Sequence, residues 1–189
     1  MKEILQQPEY LHVLLNHLPI IGLPLGAFAL FLALCLRSRP AQVTALAVLA
    51  LAALSAWPVA ATGESAYGSI RDLSDEACAN WLEEHMARAD RANFVFYVVA
   101  VVAIAGVALP RKWPRAATPL AIATFALALA GSGVAAFIAY PGGKIRHPEF
   151  RTGPPPTTTA PATHTHPPTT APATHTHSQD SDHPKNPHP

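Results

Sequence analysis

The chain has 189 residues, half of them hydrophobic and 13% charged, with a formal net charge of +1. That length holds one small domain plus a tail, and the balanced charge gives no electrostatic footprint for a nucleic-acid partner. No Gly-rich phosphate loop, Gly-x-Ser-x-Gly elbow or Cys-x-x-Cys pair is present, so nucleotide, acyl-transfer and dithiol chemistry have no motif here.

Four apolar stretches, at residues 12–36, 43–61, 93–109 and 119–140, read as spanning helices, because a bilayer core takes roughly 20 mostly apolar residues per helix. The N-terminal segment lacks a small-residue cleavage site and leads into a span too long for a signal peptide, so it is read as retained. The first span carries His12 and His17, then Pro19 and Pro24. Each proline removes a backbone donor and frees the carbonyl one turn earlier, at Leu15 and Ile20. Gly22 and Gly26 form a small-residue face suited to close helix approach. The second span contains Pro58, which is expected to kink it, and runs out into Thr62-Gly63-Glu64.

The connection from Thr62 to Ala92 reads as a long loop holding one amphipathic helix. Ser74 is its expected N-cap, with Asp75 and Glu76 in the first turn. Helical spacing then puts Cys78, Trp81, Leu82, His85 and Ala89 on one face. This helix is expected to lie outside the membrane, over the bundle. The fourth span contains Gly131-Ser132-Gly133, a packing notch, and exits through Gly142-Gly143-Lys144-Ile145-Arg146-His147-Pro148-Glu149. Lys144 and Arg146 are expected to meet the nearby acids or lipid headgroups. Residues 152–189 form a Thr/Pro/His tandem repeat with no apolar face, read as a disordered tail.

The turns after the first and third spans carry Arg37, Arg39, Arg111, Lys112 and Arg115 with no acid among them. Basic residues in short loops mark the cytoplasmic side. Both termini, the tail, all 12 acids and all 10 histidines then fall on the other side of a bacterial inner membrane. Cys35 and Cys78 fall on opposite sides, so no disulfide is expected within the chain.

This topology gathers His12, His17, His85 and His147 at one membrane face with Glu64, Glu84 and Glu149, the residue types that hold and orient transition metals. His12 and His17 lie about 140° apart on an ideal helix, so they share an ion only if Pro19 distorts the turn. Each histidine also has a structural reading: a bond to a freed carbonyl for His17, an interfacial loop position for His147. Haem between two histidines needs them at matching depth on facing elements, and no histidine falls inside the other three spans. The tail pairs His164/His166 and His175/His177 form an imidazole array of the kind that takes up copper, nickel or zinc.

The start of the first span (His12 to Pro19), the Thr62-Gly63-Glu64 motif, Glu84-His85 and the Gly142 to Glu149 exit resemble the family called domain of unknown function 2231, small four-span bacterial membrane proteins. The resemblance covers about residues 8–150 and excludes the tail. It implies the architecture and an association with respiratory or cytochrome-like modules, and no assigned activity.

The expectation is therefore an all-α, multi-pass four-helix bundle (residues 1–151) with a disordered tail. Its working end would bind copper, zinc, iron or haem b in a redox or metal-handling role, with a redox partner protein or a second copy of the chain. The alternative is a non-catalytic subunit that anchors a larger complex. A transporter has the least support, because the spans show no paired repeat and no broken helix with a mid-membrane charge.

Overall fold

The computed structural model describes residues 6–151, 153 and 156. Within them the chain forms α1 (Pro8–Leu15), α2 (His17–Cys35), α3 (Arg39–Leu54), α4 (Ala56–Asp72), α5 (Glu76–Ala92), α6 (Phe94–Ala108) and α7 (Ala117–Arg146), with short 3-10 turns at Leu109–Arg111, Pro114–Ala116 and Pro148–Phe150. The described residues contain no strand. These pieces stack into four columns, Pro8–Cys35, Arg39–Asp72, Glu76–Arg111 and Pro114–Arg146, each long and apolar enough to cross a membrane. The shortest, at 28 residues, reaches about 42 Å, against a hydrocarbon core of roughly 30 Å.

Proline sets the breaks in the first two columns. Its missing N–H and its ring disrupt the bond to the carbonyl four residues back. Leu15 and Leu54 hold those positions for Pro19 and Pro58, and they are the last residues of α1 and α3. Pro24 and Pro141 lie inside α2 and α7 without interrupting them.

The connection between the second and third columns is shorter than the sequence reading expects. Helix α4 continues to Asp72, so Thr62, Gly63 and Glu64 are helical and only 73–75 separate α4 from α5. Two glycines and several hydroxyl residues dilute the apolar periodicity there. In the structure those hydroxyls bond back to helix carbonyls: Thr62 to Pro58 at 2.8 Å and Ser65 to Ala61 at 2.8 Å. Asp75, one residue beyond Ser74, caps α5 by accepting from the Cys78 amide at 2.6 Å. The face of α5 predicted to be apolar does turn inward, with Cys78, Trp81 and Leu82 buried. It packs along the second half of α7, continuing the third column.

Helices α2, α3, α6 and α7 form a closed ring, each packing on two neighbours. Leu23, Leu30, Leu46, Leu49 and Val99 are fully buried among alanines. Small side chains let the backbones approach closely, the mode of packing available where lipid supplies no hydrophobic drive. Gly22 and Gly26 face Ala52 and Leu49 of α3, and Gly131 faces Leu23 and Val99, so these small residues serve packing inside the bundle. Two hydroxyls buried in the bundle bond back to helix carbonyls: Ser55 donates to Ala52 O at 2.6 Å and Thr124 to Leu120 O at 2.8 Å. The outward side is a belt of Leu25, Phe28, Leu51, Val101 and Ile122, each more than half exposed. Both cysteines are free.

The columns carry a paired repeat after all. The buried residues Leu23, Gly26, Ala27, Leu30 and Ala33 recur, at an offset of 73, as Phe96, Val99, Ala100, Ala103 and Gly106. Gln42, Ala45, Leu49, Ala52 and Ala56 recur, at an offset of 79, as Ala121, Thr124, Ala128, Gly131 and Ala135. The molecule is thus two helical hairpins of the same direction, 8–72 and 76–146, related by a pseudo-two-fold axis along the bundle. Both hairpins turn at the basic residues, leaving a histidine end opposite. At that end α1 packs on α4 and α5 on α7, and few close backbone contacts join the two pairs.

A Cβ on Gly22 would lie 2.8 Å from the Ala52 Cβ, an atom with no side-chain torsion to move it away. Gly22→Ala should therefore destabilise the bundle by about 1–3 kcal/mol. Gly68, in α4, has open space around its Cβ position, and Gly68→Ala should stabilise by about 0.5–1 kcal/mol. Unfolding of the two variants in detergent, followed by circular dichroism, measures both.

Candidate metal centre

His12, on α1, bonds through Nδ1 to the Val59 carbonyl of α4 at 2.9 Å. His85, on α5, bonds through Nδ1 to the Ile138 carbonyl of α7 at 2.8 Å. These are repeat-equivalent contacts, with His12 and His85 offset by 73 and Val59 and Ile138 by 79. A carbonyl can only accept, so Nδ1 carries the proton in both rings. A neutral imidazole in that tautomer presents a lone pair at Nε2. A backbone carbonyl on the other ring nitrogen is also the usual support of a metal-ligating histidine.

Glycine makes both contacts possible. The accepting carbonyls lie four residues before Gly63 and Gly142, and each ring rests where a Cβ would otherwise be. A Cβ on Gly63 would come within 2.9 Å of His12 Cε1 and 3.0 Å of its Nδ1; one on Gly142 would come within 3.3 Å of the same atoms of His85. The rings then meet across the pseudo-two-fold axis, with centroids 6.1 Å apart and planes at 86°. Among the described residues neither Nε2 has a hydrogen-bond partner, and neither is sealed away. The buried unpaired polar atom there is Asn16 Oδ1, one turn beyond His12 at the break between α1 and α2.

The other candidate ligands go elsewhere. His17 is exposed and bonds the Val13 carbonyl of its own column at 2.7 Å; the break at Asn16 does not turn it toward His12. His147 caps the end of α7, bonds Glu149 Oε1 at 2.9 Å and stacks on Phe150. Its partner Glu149 is held below the usual carboxylate range, first by its own backbone N–H and then by His147. Glu64 is exposed on α4. Glu84 accepts from Arg88 Nε at 2.7 Å. The described residues accordingly contain no group of three or more His, Cys, Asp or Glu side chains able to hold one ion. The tail residues His164, His166, His175 and His177 lie outside the described residues.

Two supporting residues have no motif of their own. Pro141 deprives the Phe137 carbonyl of its helical donor, and the Arg88 guanidinium supplies one at 2.9 Å while lying over the Phe137 ring at 4.3 Å. The only sequence signal for this pairing is Pro141 itself, a proline inside a helix that needs an outside donor for the carbonyl it frees. Lys144 is buried, its ammonium 4.3 Å from the Trp81 ring and 4.5 Å from the Tyr140 ring. It is thus a cation–π partner, and among the described residues it forms no ion pair with the acids expected for it.

An ion that needs three or four protein ligands, as structural zinc does, has no matching set here. Two imidazoles suffice for a group that fills its remaining positions itself. His12 and His85 would hold such a group through Nε2, and their ring centroids are 6.1 Å apart. The paired Nδ1 supports, the Nε2 atoms without a partner among the described residues and the glycine cradles fit such a group.

Gly63→Val is expected to push His12 off the Val59 carbonyl and to destabilise the fold by about 1–3 kcal/mol. The histidine 15N spectrum checks the contact directly. In the wild type His12 and His85 should show the Nδ1–H tautomer, and the variant should lose that signature for His12 alone. Comparison of the chain with protein-family models, curated proteins and solved structures finds no match in any of the three.

Proposed function

We propose that this chain is a multi-pass membrane protein that holds haem b between His12 and His85 and serves a redox role. The carrying observation is the pair itself: two histidines at equivalent places in two hairpins, at matching depth, 6.1 Å apart and each fixed by a backbone carbonyl. His12 and His85 would hold haem through their Nε2 atoms, as histidine does in many haem proteins. When bound, its iron would cycle between ferrous and ferric states. His12 and His85 would orient it through their Nδ1 bonds, Gly63 and Gly142 would keep the rings seated, and the weakly joined helix pairs leave the direction of entry between them. Electrons would come from and pass to a partner redox protein.

Basic residues in the short turns favour a cytoplasmic position for that end. On this reading the histidine pair, the external helix α5, both termini and the tail lie on the outer side of the bacterial inner membrane. The tail histidines would then gather metal ions outside the cell.

The test is iron analysis and an optical spectrum on protein ending at Arg151, expressed with added haem and purified without a His-tag. One iron per chain and a low-spin Soret band are expected. His12→Ala and His85→Ala should each abolish the band, while His17→Ala and His147→Ala keep it. Copper at one per chain without a Soret band would replace haem by a two-coordinate copper(I) ion on the same pair. A metal-free protein would overturn the proposal and leave the pair as a strut in an anchoring subunit. Separately, a reporter fused after Arg151 should be active only as an extracytoplasmic reporter. Deletion of the tail should lower copper tolerance of the cells; equal tolerance would remove the tail from metal capture.

A further inference from the structure

The end opposite the histidines is built differently. It carries Arg37, Arg39, Arg111, Lys112 and Arg115, and the chain has no Asp or Glu between Glu9 and Glu64 or between Asp90 and Glu149. The ion pairs of the described residues, Arg71–Glu83, Arg88–Glu84, His147–Glu149 and Arg151–Asp75, all belong to the histidine end. The basic end therefore has cations and no carboxylate to answer them.

Two of these cations line a groove of about 200 Å³ with Val43, Val107 and Pro110. Arg39 is held in place from both sides: Nη2 donates to the Gly106 carbonyl at 2.7 Å and Nη1 to Gln42 Oε1 at 3.3 Å. Those bonds occupy two of its five N–H donors. Arg111 is exposed, with Nη1 on the Val107 carbonyl of its own column at 3.1 Å. The guanidinium fork suits a phosphate, and both forks are already oriented.

Arg37 adds a further cation to this end, just past α2 and outside the lining of the groove.

We propose that the Arg39–Arg111 groove binds the headgroup of an anionic phospholipid, the phosphate between the two guanidiniums and an acyl chain along Val43 and Val107. The groove lies at the end of spanning columns, where headgroups sit, and its wall is apolar below a cationic rim. A free phosphate ion would use the rim alone. Basic pockets between spanning helices are established recognition sites for such lipids.

The full-length protein in mild detergent is mixed with phosphatidylglycerol, phosphatidylcholine or inorganic phosphate, and bound lipid is counted by native mass spectrometry alongside thermal unfolding. Phosphatidylglycerol should be retained and should raise the melting temperature; the other two should do neither. Arg111→Gln removes no bond to another helix and should keep the fold, yet lower retention about fivefold, the effect of one cation at an anionic surface. Arg39→Gln should also lower retention, with some loss of stability because it removes the bond to the Gly106 carbonyl, and Arg111→Lys should restore part of the binding. Equal retention by wild type and both glutamine variants, equal binding of phosphatidylcholine, or full protection by inorganic phosphate would each overturn the proposal. The haem reading is untouched by any of these results, because none of its residues is altered.

Discussion

Inside hydrocarbon a backbone carbonyl that loses its helical partner has no water to replace it, and the fold is arranged around that constraint. Of the carbonyls that prolines free, those of Leu15 and Leu54 end their helices, and that of Phe137 takes a donor from Arg88. The histidine contacts are of another kind, because Val59 and Ile138 keep the helical N–H donors of Gly63 and Gly142. His12 and His85 reach across to carbonyls on the second column of their own hairpins, binding each hairpin to itself near its open end. A ring fixed by a backbone atom is placed more rigidly than one fixed by another long side chain.

Pseudo-two-fold symmetry turns one such contact into a site. A single hairpin supplies one histidine, one glycine cradle and one accepting carbonyl, which is too little to hold a metal. Two hairpins side by side bring the second set onto the axis, and the rings meet there without any further motif. The cations at the other end follow from the same arrangement, because both hairpins turn there and both turns are basic. The two ends thus differ in what they lack as well as in what they carry: the histidine end has acids to pair its cations, and the basic end has none.

Much of the helical framework is legible in the sequence because apolar length and proline position act locally. The four columns, the breaks before Pro19 and Pro58 and the buried face of α5 depend on residues within a turn or two of one another. The repeat is not legible in that way. Its shared positions are mostly small apolar residues, and Ala or Leu recurring at a fixed offset carries little information in an Ala- and Leu-rich chain. Only His12 with His85 and Gly63 with Gly142 are distinctive, and their offsets differ because the connections differ in length. The grouping of seven candidate ligands fails to form for a related reason. Sharing a membrane face leaves both depth and azimuth open: His147 lies nine residues past Ile138, the contact of His85, and His17 bonds its own column.

A structural strut and a ligand pair make different demands on the atoms left over. A strut needs only the Nδ1–H donors and makes no use of Nε2. Here both rings keep an Nε2 lone pair with no partner among the described residues, and these lone pairs belong to neighbouring rings half-buried at the meeting of two loosely joined helix pairs. The Nδ1–H bonds to the Val59 and Ile138 carbonyls place the lone pair of each neutral ring on Nε2. That tautomer is also the one that binds metal. The spare acceptors are the feature a purely structural pair does not require, and they give the chemistry of the histidine end its direction.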